Sequence, residues 1–139
     1  RVLCDLPESV PLVADRRRLE QMLINLVGNA IKFNREGGEI HLRAVVKTEE
    51  TVILVEDTGI GIASESLEKI FNRFFRAHRE RPRDVGGTGL GLAIVKHLMR
   101  LHGGSVTVRS ELGQGATFAL RFPARRPVEV EPALPNHRV

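Results

Sequence analysis

Val52-Ile53-Leu54-Val55-Glu56-Asp57-Thr58-Gly59-Ile60-Gly61-Ile62 carries an apolar alternation straight into a glycine turn, with an acid at the junction. The alternation predicts a strand over 52–57 in which Ile53, Val55 and Asp57 share one face and Val52, Leu54 and Glu56 the other. Asp57 then stands on an apolar side, where a carboxylate is costly unless something donates hydrogen bonds to it. Gly59 and Gly61 would let the backbone come close to a flat ligand. An amine-bearing ring such as adenine is one suitable donor. A turn-capping role is the other reading of the same residues, since Asp-Thr-Gly is good turn chemistry.

At 139 residues the chain fits one domain with a sizeable core, and 42% hydrophobic with 27% charged residues is ordinary for a soluble globular protein. No apolar run reaches about 18 residues and no signal-like leader is present, so the chain is expected to be cytoplasmic and to make no membrane contact. It begins with Arg1 and not Met, which suggests a piece of a longer protein. The single Cys4 excludes an internal disulfide and is expected to be a small core residue. The net charge of +4 raises the question of nucleic acid, but Trp and Tyr are absent and the arginines are dispersed, leaving little for bases to stack on. No nucleic-acid partner is expected. A surplus of Arg suits a polyphosphate ligand equally well.

Along the chain, residues 1–14 predict one or two short edge strands broken by Pro7 and Pro11. Asp15 is expected to cap a long helix reaching about residue 33. A strand at about 39–47 and a hairpin through Thr48-Glu49-Glu50 lead into the strand that ends at Asp57. Ser64 opens a predicted short helix through Leu67, Ile70 and Phe71. Residues 76–89 lose apolar periodicity and read as a mobile lid-like loop. Thr88 is expected to cap a second long helix ending at Gly103-Gly104, followed by strands at 105–110 and 116–122. The segment 124–139 holds Pro127, Pro132 and Pro135 without an apolar pattern and reads as a disordered tail, which puts the domain at 1–123. The sum is a two-layer α/β sandwich: a mixed, mostly antiparallel sheet of about five strands with helices on one face.

At 100° per residue, Arg18, Gln21, Asn25, Gly28, Asn29 and Lys32 form one stripe on the first helix, and apolar residues wrap the rest. The helix should therefore be largely buried, with its stripe facing something specific. Two amides at i and i+4 with Lys at i+7 suit a cation and phosphates: the Asn29 carbonyl is a hard-cation ligand and Lys32 neutralises charge. A helix with neutral amides on a wet edge is the alternative. Further on, Gly86-Gly87-Thr88-Gly89-Leu90-Gly91-Leu92 runs into the second helix, where free N–H groups would form an anion site. It is neither a Walker loop nor a dinucleotide fingerprint. Ile70-Phe71-Asn72-Arg73-Phe74-Phe75-Arg76 packs three of the six Phe into five positions before the loop. These read either as a latch seating the loop on the core, or as a latch plus an Arg76 that reaches a terminal phosphate.

In this order, L-I-N-L-V-G-N-A-I-K-F, D-T-G-I-G-I, I-F-N-R-F-F-R, G-T-G-L-G-L-A-I-V-K and G-Q-G-A-T-F resemble the boxes of the catalytic and ATP-binding domain of sensor histidine kinases. The resemblance spans roughly residues 1–122. It implies the Bergerat fold, an α/β two-layer sandwich with three helices and a flexible ATP lid, and ATP with Mg²⁺ as cofactors. Asp57 would bind the adenine amine, with Gly59, Gly61 and Ile62 shaping the base pocket and Phe33 beside the nucleotide. Asn29 would hold Mg²⁺, and Asn25 and Lys32 would meet the phosphates. Phe74 joins the nucleotide-binding set, and Arg76 would approach the terminal phosphate. Gly87, Thr88, Gly89, Leu90, Gly91 and Leu92 would wrap the phosphates, and Thr117 would lie near Asp57. Asn25, Lys32 and Arg76 would serve catalysis.

The family's phosphoacceptor histidine lies on a separate helical hairpin, and none of His41, His78, His97, His102 or His137 fits its pattern. The implied partners are therefore that hairpin, in the same parent protein, and a response regulator downstream. The isolated domain is expected to be monomeric and its parent a homodimer. Related ATPases and a serine kinase share the fold, and a non-catalytic nucleotide-binding docking module is a third class. The ATPases use a Glu one turn before the metal-binding Asn to activate water. Here that position is Asn25, which cannot take a proton.

Overall fold

The structure, a computed structural model, describes residues 1–75 and 90–124. The expected lid and the tail beyond 124 lie outside the described residues. Five strands, β1 (Val2–Asp5), β2 (Ile40–Val46), β3 (Glu50–Asp57), β4 (Ser105–Glu111) and β5 (Gly115–Pro123), form one sheet in the order β1-β2-β3-β5-β4. β1 runs parallel to β2, and the other neighbours are antiparallel. Among the described residues two α-helices, α1 (Arg16–Lys32) and α2 (Gly91–Leu101), cover one face. This is the open two-layer α/β sandwich that the hairpin spacing predicts.

Asp15 begins α1 as expected: its extended backbone and its Oδ1, which accepts from the Arg18 N–H at 3.1 Å, satisfy one of the helix's free donors. Met22, Leu26 and Ala30, four residues apart, form the buried line of α1. They meet Val55 of β3, Phe118, Leu120 and Phe122 of β5, and Val95, Leu98 and Met99 of α2 in one core. The even-numbered residues of β5 thus face the helices, and the odd-numbered ones line the open face. At the far end of the core, His102 ties the helices together. Its Nδ1 lies 2.7 Å from the Leu98 carbonyl oxygen and its Nε2 accepts from the Asp15 N–H at 3.1 Å.

Three local expectations are corrected, and a fourth falls outside the described residues. α1 is not buried on all its apolar sides: Ile24 and Ile31 are 71% and 61% exposed, because one sheet and one neighbouring helix cover only part of a helix surface. Cys4 is exposed, since β1 is an edge strand with few covering residues. The stretch after Ser64 is a 3-10 turn (Ser64–Ser66) continued by i→i+3 bonds from Leu67, Lys69, Asn72 and Phe75, and not an α-helix. Ile70 still reaches the core and Phe71 packs edge-on against Phe118, 6.2 Å between centroids. Finally, α2 starts at Gly91 after Leu90, which makes no side-chain cap bond; Thr88, the expected cap, lies outside the described residues.

Leu26→Ala should destabilise the chain by about 2–5 kcal/mol in urea unfolding, the usual cost of a cavity in a closed core. Ile24→Ala on the same helix should change stability by no more than about 0.5 kcal/mol.

Candidate nucleotide site

Asp57 is the last residue of β3, and its cross-strand partner is Ala116. Both side chains lie on the helix-covered face, as the alternation predicts. The Asp57 Oδ1 accepts from the Gly59 N–H at 2.8 Å. Burial pushes the carboxyl above its ordinary range, and hydrogen bonds from the Gly59 and Ala116 backbone oppose that rise without cancelling it. The group is half-buried, and among the described residues only backbone donors lie against it. Such a carboxylate is incompletely satisfied, and a ligand donor would relieve it.

The turn after Asp57 is pressed between two other parts of the chain. The Ile60 N–H donates to the Phe33 carbonyl at the end of α1 (3.0 Å), and the Gly113 N–H in the β4–β5 turn donates to the Ile60 carbonyl (2.8 Å). A Cβ at Gly59 would strike the Phe33 carbonyl oxygen, and Gly61, at φ 77°, faces the Glu111 carbonyl so closely that a Cβ would collide with it. These glycines are therefore required by backbone packed on backbone within the protein, a different cause from the close approach of ligand expected from the sequence.

Two hydroxyl groups complete this packing, and sequence reasoning missed both. Thr58 Oγ1 accepts from the Glu39 N–H (2.8 Å) and donates to Asn34 Oδ1 (3.1 Å), while Asn34 Nδ2 donates to the Glu39 carbonyl (3.0 Å). Ser110 Oγ accepts from the Ile62 N–H (2.8 Å) and donates to the Gly115 carbonyl (2.6 Å). The available signal was that Asn34, Thr58 and Ser110 are short polar residues next to turns, where side chains bond to backbone.

On α1, Asn25 and Asn29 are both half-buried, and neither amide bonds to another described residue. Asn25 Oδ1 lies 3.4 Å from where a Cβ on Gly91 would stand, so the amide faces the first turn of α2. Lys32 is exposed one turn on from Asn29, and Phe33 ends the helix with its N–H on the Asn29 carbonyl, while the Asn34 N–H reaches the Ile31 carbonyl. Ile62 and Leu92 both pack against the core, and Leu90 is half-buried beside the start of α2. The structure therefore brings together the end of β3, the turn after it, the α1 stripe and the first turn of α2.

The three phenylalanines of the stretch before 76 divide. Phe71 and Phe75 pack against the core, whereas Phe74 is 65% exposed with a left-handed backbone, φ 65°, so only two of the three reach the core. Arg76, Gly87, Thr88 and Gly89 lie outside the described residues. Thr117 is corrected: the β3–β5 register pairs it with Glu56 and places Ala116 at Asp57. Adjacent strand residues point to opposite faces, so the Thr117 side chain belongs to the open face with Ala119 and Arg121.

Because the folded chain binds the Asp57 proton more tightly than the unfolded chain does, this group costs stability above its raised folded pKa. That cost is relieved as pH falls from there toward the ordinary carboxylate value. Asp57→Asn should therefore make the ligand-free chain more stable than wild type at pH 7, with the difference shrinking as pH falls toward 4. Paired thermal melts across that range check the sign.

A family model described as histidine kinase-, DNA gyrase B-, and HSP90-like ATPase matches residues 14–126. The circadian input-output histidine kinase CikA of Synechococcus elongatus is 41% identical over 126 residues, covering 88% of this chain and 17% of that protein. The sensor protein SrrB of Staphylococcus aureus is 42% identical over 109 residues, 78% of this chain and 19% of that protein. The chain thus spans under a fifth of the length of these curated relatives. Among solved structures, full-length ShkA in complex with AMPPNP superposes with a TM-score of 0.76 at 38% identity, covering 88% of this chain and 25% of that one. The catalytic domain of the histidine kinase ThkA gives 0.76 at 32% identity, covering 88% and 79%. This chain belongs to the histidine kinase-, DNA gyrase B- and HSP90-like ATPase family, as a catalytic and ATP-binding domain of the sensor histidine kinase type.

Proposed function

We propose that this chain binds ATP with Mg²⁺ and transfers the terminal phosphoryl group to a histidine on a helical hairpin elsewhere in its parent protein. The observation that carries the reading is the half-buried Asp57 carboxylate, met only by backbone donors, set near a helix whose two half-buried amides are uncommitted among the described residues. The adenine amine is a donor of the kind the carboxylate lacks. Its neighbours in the site are Gly59, Gly61, Ile62 and Phe33, with Phe74 in the same binding set. The bound AMPPNP of ShkA, a relative in fold and sequence, supports an adenine nucleotide here.

No three His, Cys, Asp or Glu side chains converge among the described residues. A cation would thus rest on the Asn29 amide oxygen and on phosphate oxygens, a hard-oxygen set that fits Mg²⁺. Mg²⁺ supplies charge neutralisation across the phosphates when bound. Asn25 and Lys32 would then meet phosphate oxygens, and the free N–H groups at the N-terminus of α2, from Gly91, would serve as donors to them. Arg76 would complete the charge on the terminal phosphate. In the transfer, an imidazole nitrogen bonds to the γ-phosphorus as the bond to the β–γ bridging oxygen breaks, and ADP leaves. Positioning supplies most of such catalysis, which makes the missing hairpin a requirement. Water is a poor substitute, because Asn25 stands where a base would be needed.

ATP should bind with affinity in the micromolar range, and GTP far more weakly, because guanine sets an acceptor against Asp57 where adenine sets its amine. Isothermal calorimetry with the two nucleotides checks this. Added to the acceptor hairpin, the chain should yield acid-labile, base-stable phosphate on a histidine, and Asn29→Ala should abolish it. Hydrolysis by the chain alone at about one turnover per second, within the usual enzyme range, would favour the ATPase reading.

A further inference from the structure

We propose that Thr58 and Ser110 are positioning residues for the adenine end of the site, two hydroxyls that lock the turn after Asp57 from opposite flanks. The proposal rests on the ATP reading above.

The turn of residues 58–62 has no regular structure of its own. Its place is set by what it bonds to, and those bonds come from three separate elements. On one flank, Thr58 Oγ1 bridges the Glu39 N–H at the entry to β2 and Asn34 Oδ1 just beyond α1. The Thr58 N–H reaches the Glu39 carbonyl at 3.2 Å. On the other flank, Ser110 Oγ bridges the Ile62 N–H and the Gly115 carbonyl across the β4–β5 hairpin. Each hydroxyl accepts one backbone N–H that would otherwise lose its partner, Glu39 at Thr58 and Ile62 at Ser110; Ser110 donates to the Gly115 carbonyl, and Thr58 donates to Asn34 Oδ1 with the Glu39 carbonyl as a longer second acceptor at 3.4 Å. Asp57 lies between these two bridges, and the Gly59 N–H that holds its Oδ1 belongs to the turn they fix.

The packing leaves the turn little room to adjust. Gly59 is against the Phe33 carbonyl and Gly61 against the Glu111 carbonyl, and Asn34 Oδ1 occupies the space a Cβ on Gly38 would need. A turn held this closely on both sides can present a carboxylate to a planar ring in one orientation. Loss of either hydroxyl frees one side of the turn without touching the carboxylate, the α1 amides or the core. The effect should therefore fall on recognition of the base and leave recognition of the phosphates unchanged.

Thr58→Val removes the hydroxyl and keeps the shape, Thr58→Ser keeps the hydroxyl, and Ser110→Ala tests the other flank. Affinities for ATP, ADP and adenosine would be measured by calorimetry and NMR titration well below the melting temperature, with amide spectra to confirm the fold. Thr58→Val and Ser110→Ala should weaken all three ligands by a common factor of about ten, and Thr58→Ser should stay within about threefold of wild type. The common factor assigns the loss to the base end, and unchanged amide spectra and an unchanged melting transition tell it apart from general loosening of the fold, which would also weaken all three ligands together. Wild-type affinity in a folded Thr58→Val chain would overturn the proposal. So would a Thr58→Ser loss as large as that of Thr58→Val, or a loss confined to the phosphate-bearing ligands. Should Thr58→Val fail to fold, Ser110→Ala carries the same comparison. A wild-type chain that binds no ATP would instead refute the ATP reading itself.

Discussion

A carboxylate at the end of an otherwise apolar strand face is the constraint around which this fold is arranged. β3 is the central strand, paired on both sides along its length, so Asp57 cannot swing out to solvent without breaking the ladder. Its backbone is fixed by pairing, its side chain by the Gly59 N–H, and its surroundings by the core beneath. Burial raises its pKa, and the free chain carries that energetic cost. Selection for stability alone would place an apolar residue there. Its retention is understandable if a bound ligand returns the hydrogen bonds that water would have made.

The same constraint explains the glycines and hydroxyls around it. A turn that leaves a central strand and must pass between the end of α1 and the β4–β5 hairpin meets carbonyl oxygens on both sides. Gly59 and Gly61 admit that approach, and Thr58 and Ser110 satisfy the polar groups it buries. α1 is drawn into the arrangement through the Phe33 carbonyl and Asn34, so the helix that carries Asn25, Asn29 and Lys32 is anchored to the turn that carries Asp57. The backbone bond from the Ile60 N–H to the Phe33 carbonyl, which involves neither hydroxyl, is part of that anchoring.

Much of this was legible in the sequence because it depended on periodicity and on local turn chemistry. The alternation of residues 52–57 put Asp57 on the covered face, the Asp15 cap and the amide stripe placed α1, and the Gly-Gly pair after α2 marked its end. What was not legible depended on contacts across the chain. Ile24 and Ile31 look like core residues in a list of apolar positions, yet they face outward because among the described residues nothing packs on that side of α1. Thr117 was misplaced by one residue, and in a strand one residue reverses the face. The run after Ser64 carries helical spacing, and its tighter 3-10 bonding could not be told from spacing alone. Asn34, Thr58 and Ser110 act through bonds to residues far away in sequence, which no local pattern reveals.

The central claim is that the Asp57 carboxylate is the partner of the adenine amine. Carbon-13 NMR of its carboxyl group, titrated with pH in the free chain and in the ATP-saturated chain, tests it most directly. A donor that bonds to the ionised form lowers a pKa. The free chain should show Asp57 titrating above the ordinary carboxylate range, and saturation with ATP should move the midpoint down. A midpoint that stays where it was, or rises, when ATP is bound would contradict the assignment.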